Sequence, residues 1–336
     1  MRGSLLSVLL LLSSCTSVPP RTATVERRVM LMGTSLEIAV EAMDRAAGLA
    51  ASERAVRALE TAEARLSTWR NDSELALLNR SPVGERRALS SALAADLDAA
   101  VRCARETDGA FNPAVGALVR AWGLREGGRI PSPEEQSAAV AESDLEGLTL
   151  AGGTAVRQRP GLILEEGGFG KGAGLGNALA ALSGAGVSRA SLDLGGQVAV
   201  LGGGWLVPLA DPRRRDHPVV ALSIDGGSVS TSGNSERGVE VDGRRLGHIL
   251  DPRTGEPAPD FGSVTVWTAD PLRADCLSTG LYVLGPERAL RWAASHPGVE
   301  VLVLRVEGDR LQALASPGLK GRLKTLDQEV EIEFGI

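Results

Sequence analysis

SVSTSGNSERGVEVDGRRLGHILDPRTG, residues 228–255, is the stretch from which the rest of the chain is read. At its centre stands Val241-Asp242-Gly243-Arg244. An Asp-Gly pair favours a two-residue hairpin turn, because both central residues of that turn take positive φ. Strands are therefore expected over 237–241 and 244–250. His248 falls near the end of the second, just ahead of Asp251-Pro252-Arg253-Thr254-Gly255, where Pro252 and Gly255 bracket a turn. Upstream, Ser230-Thr231-Ser232-Gly233-Asn234 offers hydroxyls and backbone N–H groups suited to an anion or a phosphate. The same residues are equally compatible with a decorated surface hairpin.

Working outward, alternation predicts strands near Arg189–Leu194, Gln197–Leu201, Trp205–Leu209, Val219–Ile224 and Ser228–Thr231 before this stretch, and Val264–Thr268 after it. Helices over Pro271–Val283 and Pro286–Ala294 and a strand near Val299–Leu304 close the chain. The first third is mostly helical. An interrupted strand over Arg28–Glu41, broken at Met32-Gly33-Thr34, precedes a helix that Asp44 caps and that runs to about Leu66. A shorter helix is expected through Leu78, a second long one over Ser90–Glu106 and another helix through Val119 to Trp122. Residues 125–160, rich in Gly, Pro and acids, read as a connection with one helix begun by Ser132-Pro133-Glu134-Glu135, and a strand is expected over Gly161–Leu164 after it. Helices and strands interleave irregularly, which predicts an α+β fold with an antiparallel or mixed sheet.

The amino terminus is a different kind of segment. Arg2, the apolar run Leu5–Leu12 and Leu12-Ser13-Ser14-Cys15 form a secretory signal, too short to span a bilayer. Leu-Ser-Ser-Cys resembles a bacterial lipobox, with cleavage before Cys15 and lipid on its thiol; an ordinary signal peptide with a chance cysteine is the alternative. The organisation expected is a signal at 1–14, a lipidated Cys15 and tether at 15–27, the main domain at 28–324 and a tail or strand at 325–336. The protein is thus expected to be exported, on the periplasmic side, and anchored to a membrane through Cys15.

Composition excludes some functions. A net charge of −6 with 3% aromatic residues gives neither a basic footprint nor a base-stacking surface, so nucleic acid is not an expected partner. His217, His248 and His296 are scattered, and no Cys/His group has zinc spacing. Cys103 and Cys276 read more readily as buried small hydrophobes than as a disulfide.

Two further stretches carry chemistry. Glu165-Glu166-Gly167-Gly168-Phe169-Gly170-Lys171-Gly172 reads as strand, glycine turn, lysine and helix, an arrangement that admits a phosphate at the helix start. It fits neither the Walker A nor the dinucleotide fingerprint, and a structural turn explains it as well. In Ala274-Asp275-Cys276-Leu277-Ser278-Thr279, Asp275 and Thr279 stand at i and i+4 on one helix face. A carboxylate and a hydroxyl so placed are hard oxygen donors for Mg²⁺, although a helix-dipole Asp beside a back-bonded Thr has the same pattern.

Taken in order, Met32-Gly33-Thr34, STWRNDSEL (67–75) with Asn79, TDGAFNPAVG (107–116), GGFGKG (167–172), DLGG (193–196), TSGN (231–234), HILDPRTG (248–255) and ADCLSTG (274–280) resemble the ApbE family of FAD:protein FMN transferases. The resemblance spans about 28–305. It implies an α+β fold of two intimately associated subdomains holding FAD with Mg²⁺ on its pyrophosphate, and transfer of FMN to a Thr or Ser hydroxyl of an acceptor protein with release of AMP. By matching positions it implies that Gly168 (through its carbonyl), Asp275, Thr279 and the adjacent Ser278 hold the metal. Met32, Trp69, Gly109, Ala110, Phe111, Glu165, Lys171 and Leu250 would line FAD. His248 would take the proton of the acceptor hydroxyl, with a structural role on the Asp251 turn as its alternative. Implied partners are a subunit of a membrane redox complex or an exported flavoprotein.

This chain also departs from the family pattern. Glu165 stands for the usual Asp, Ala173 for Tyr, Gly176 for Asp, Ser235 for Tyr and Asn112 for Asp. Two other readings use the same site: hydrolysis of FAD to FMN and AMP, or flavin binding without turnover.

Overall fold

The computed structural model describes residues 22–335 except 185, 235–237 and 242. The signal segment, Cys15, the start of the tether, Ser235 and Asp242 lie outside the described residues.

The chain opens with β1 (Ala23–Leu31) and β2 (Thr34–Ala42), an antiparallel hairpin. Its turn is Met32-Gly33, with φ of 50° and 71°. Two successive positive φ values reverse the chain, so the expected interrupted strand is two strands. The first strand also reaches back to Ala23, into the stretch read as tether. α1 (Arg45–Leu66) follows, capped by the Asp44 carboxylate, which accepts from the Ala47 N–H at 2.7 Å. Next come α2 (Glu74–Asn79), β3 (Arg86–Ala88), α3 (Ser91–Glu106), α4 (Gly116–Ala121) and α5 (Pro133–Glu142). A capping box at Ser132 and Glu135 starts α5 where the sequence places it.

The stretch read as a connection folds further. β4 (Leu148–Ala151) and β5 (Thr154–Arg157) pair, and with β3 they make a small sheet in the order β3-β5-β4. No strand forms over the expected Gly161–Leu164, which makes a single parallel bridge between Ile163 and Val115. Its position is fixed by the Asn79 amide, which donates to the Leu164 carbonyl and accepts from the Leu164 N–H, both at 2.8 Å.

The second half supplies α6 (Gly170–Leu182), β6 (Val187–Leu194), β7 (Gln197–Leu201), β8 (Trp205–Asp211), β9 (Arg214–Ile224) and β10 (Gly227–Ser232). Then come the hairpin β11 (Gly238–Val241) and β12 (Arg244–Gly247), β13 (Gly262–Thr268), α7 (Pro271–Leu284) and α8 (Pro286–Ala294). β14 (Val299–Glu307), β15 (Arg310–Ala315), β16 (Leu323–Thr325) and β17 (Ile332–Phe334) complete the chain. The expected hairpin forms, with its second strand ending at Gly247 rather than 250.

A nine-stranded sheet, β1-β2-β6-β7-β10-β13-β14-β15-β17, organises the molecule. It is antiparallel throughout except where β17 joins β15 in parallel. The sheet is mixed, as expected. β2 reads as alternation, with Leu36, Ile38, Val40 and Ala42 buried against α1 and α6. β14 is buried on both faces instead: Val299, Val301 and Val303 pack on α7 and α8, while Leu302 and Leu304 meet β8 and β9. Such a strand reads as a continuous apolar run. The small sheet with α2 and α3 packs around Leu93, Leu97 and Phe111, and that core includes Cys276 of α7.

Candidate functional site

α6 and α7 cross closely where the two chemical stretches meet. A Cβ on Gly172 would stand 2.3 Å from the Pro271 carbonyl oxygen, so only glycine permits the approach. The crossing lets the Gly172 N–H donate to Asp275 Oδ2 at 2.9 Å. Asp275 is 4% exposed, and burial raises its carboxyl above the ordinary range against the pull of Lys171 and the Gly172 N–H.

Helical spacing sets Ser278 and Thr279 one turn beyond Asp275. The Ser278 hydroxyl bonds those of Ser230 at 3.1 Å and Ser232 at 2.9 Å, and donates to the Asp275 carbonyl at 2.9 Å. Thr279 Oγ1 lies 3.3 Å from Ser232 Oγ. A Cβ on Gly168 would meet Phe111 Cε2 at 3.0 Å and Thr279 Oγ1 at 3.5 Å. Gly168, Asp275, Ser278 and Thr279 therefore share one oxygen-rich corner. Of the β10 hydroxyls expected to face an anion, those of Ser230 and Ser232 bond α7 and that of Thr231 bonds Thr265 of β13 at 2.8 Å; Ser230 is 2% exposed. Among the described residues no three His, Cys, Asp or Glu side chains cluster as a metal site, so one carboxylate and hydroxyls are what this corner offers.

Asn234 does structural work as well. Its amide donates to the Ala258 carbonyl at 2.6 Å and accepts from the Ile249 N–H at 2.9 Å, which fixes the chain beside the half-buried His248. The Asp251–Gly255 turn is held by the Trp122 indole N–H, donated to the Gly255 carbonyl at 2.7 Å. Arg253 of that turn lies near Gly109, where the chain bends at φ +75°. Ala110, Phe111 and Leu250 are buried and each belongs to a hydrophobic cluster.

A second group lies at the other end of the glycine turn. Trp69 is 72% exposed, and the Arg125 guanidinium sits 4.4 Å from its ring centroid. Arg125 also donates to Glu165, to the Thr68 hydroxyl and, at 3.2 Å, to the Thr68 carbonyl. Burial raises the Glu165 carboxyl, while Arg125 opposes that shift. Glu166 accepts from the Thr68 N–H at 3.0 Å. Arg125 and Glu165 wall a cavity of about 230 Å³, so the stretch read as a mere connection contributes to this group. A larger hollow of about 510 Å³, between β1, β2, β6 and β8, touches none of the expected site residues.

Asp275, Ser278, Thr279 and Gly168, singled out in the sequence, lie together here, whereas Ser230 and Ser232 as α7 partners, Thr68, Glu166 and Arg125 were not singled out. Thr68 and Glu166 adjoin residues already singled out. Arg125 carries no local signal, because its partners are 57 and 40 positions away in sequence.

Fold and site together define a class: the chain belongs to the ApbE family, whose family model matches residues 32–303. This is a family of flavin transferases. The FAD:protein FMN transferase of Escherichia coli K12 is 30% identical over 341 residues, 96% of this chain and 97% of that relative. The flavin transferase ApbE from Vibrio cholerae superposes with a TM-score of 0.80 at 28% identity, covering 90% of this chain and 100% of that one. The apo flavinyl transferase ApbE of Pseudomonas stutzeri also gives 0.80, at 26% identity over 90% and 97% of the two chains.

Proposed function

We propose that this chain transfers FMN from FAD to a Thr or Ser hydroxyl of an acceptor protein and releases AMP. The acceptor oxygen bonds to the FMN phosphorus, the pyrophosphate P–O bond breaks, and the hydroxyl proton passes to a base. The observation that carries this reading is the buried Asp275 in a corner of hydroxyls opposite Gly168. Its donors are hard oxygens, and a buried carboxyl raised by desolvation gains from a cation beside it. Gly168 through its carbonyl, Asp275 and Thr279 would hold Mg²⁺, with Ser278 adjacent; water and phosphate oxygens would complete the shell. Bound there, the ion would neutralise charge on the pyrophosphate.

Lys171, in the first turn of α6, would attract phosphate. Met32, Trp69, the Gly109–Phe111 turn, Glu165 and Leu250 would line FAD. His248, beside the loop that Asn234 fixes, is the base in this reading; an imidazole nitrogen would take the hydroxyl proton. Anchorage through Cys15 would keep the enzyme on the periplasmic face, beside a redox-complex subunit or an exported flavoprotein as acceptor. Among the described residues no helix is long and apolar enough to cross a membrane.

The test uses the chain from Ser17 with FAD, Mg²⁺ and an acceptor fragment bearing a Thr motif, read by mass spectrometry. An FMN adduct on the acceptor is expected, abolished by EDTA and by Asp275→Ala. His248→Ala should still bind FAD while losing transfer; undiminished transfer would reject His248 as base. Metal-dependent free FMN and AMP without an adduct would make the protein a hydrolase. FAD retained without either product would make it a binding protein.

A further inference from the structure

Trp69 presents a large indole, 72% exposed, on a loop beside Arg125. One of its faces is covered by the Arg125 guanidinium at 4.4 Å, so its exposure lies on the opposite face and the ring edges. Arg125 is itself held. It donates to the Thr68 carbonyl at 3.2 Å, to the Thr68 hydroxyl and to Glu165, whose side chain is 13% exposed. Thr68 is fixed in turn: its N–H donates to Glu166 at 3.0 Å and its hydroxyl reaches Glu165 at 3.1 Å. The residue next to the indole and the cation behind it are thus tied to one acidic pair at the head of the glycine turn. Arg125 lies outside every block that carries the family resemblance, so nothing in that resemblance gives it a role.

We propose that Arg125 is a positioning residue that backs Trp69, holding the indole as a preformed platform on which a fused planar ring of the bound dinucleotide stacks through the open face. This rests on the reading that FAD is the substrate. The physical case is preorganisation: a ring already ordered by a planar cation loses little rotamer freedom when a ligand ring stacks on it. Lysine would not replace Arg125, because a compact ammonium neither lies flat on the indole nor spans Thr68 and Glu165.

The experiment is a double-mutant cycle on FAD affinity, measured by flavin fluorescence anisotropy at fixed Mg²⁺, with circular dichroism of each variant. Trp69→Ala and Arg125→Ala should each weaken FAD binding about tenfold. The double variant should bind no more weakly than Trp69→Ala to within about twofold, since Arg125 acts through the indole. Arg125→Lys should recover less than half of the loss, and it replaces Arg125→Ala in the cycle if that variant fails to fold. Unchanged affinity in Arg125→Ala, or an undiminished loss when arginine is removed in the Trp69→Ala background, would overturn the proposal and leave the function intact. Wild-type protein that does not bind FAD would overturn both.

Discussion

Glu165 is largely buried, its side chain 13% exposed, beside a second acid, Glu166, with Arg125 as its cationic neighbour. Desolvation dominates, and its carboxyl is raised above 4.5 despite the guanidinium. The folded state therefore binds that proton more tightly than the unfolded chain does, so this group makes stability fall as pH rises through the window that opens above 4.5. Glu165→Gln should flatten that part of the profile of melting temperature against pH in ligand-free protein. Coincident profiles for the two proteins would show that Glu165 does not carry the effect. At this scale the sequence was legible where spacing alone constrains geometry: Asp275 and Thr279 share a helix face because they are four apart. Ser232 and Arg125 were not legible as site partners, because their contacts close over long sequence separations that no local pattern encodes.

The element that matters most is the crossing of α6 and α7. It delivers the Gly172 N–H to Asp275 and leaves no room for a side chain at position 172. Gly172→Ala should force the helices apart and cost on the order of 1–3 kcal/mol, read from the denaturation midpoint. It should also weaken metal-dependent FAD binding by displacing Asp275. A variant as stable as the parent would mean that the crossing yields freely. Helices were readable because caps announce them, Asp44 and Ser132 being the plainest. The short strands β3, β4 and β5 were missed, since three or four residues are too few for alternation to register. The Met32-Gly33 turn was misread as an interruption, because a reversal and a break leave the same mark on hydrophobic alternation.

Across the whole molecule, the large sheet brings distant blocks to one place. β10 pairs with β13, the chain then enters α7, and α7 packs on β10 and α6. The order of blocks along the sequence carried the family, and the irregular interleaving of helices and strands carried the α+β class, whereas the strand order β7-β10-β13 depends on long-range pairing that sequence periodicity does not specify. In the proposed function this junction holds a divalent cation on the pyrophosphate of FAD. The direct measurement is anomalous diffraction from a crystal grown with FAD and Mn²⁺ in place of Mg²⁺. The account predicts one strong peak among the Asp275 carboxylate, the Thr279 hydroxyl and the Gly168 carbonyl, absent from Asp275→Asn crystals. FAD bound with no peak at that corner, or with the ion held by other residues, would contradict it.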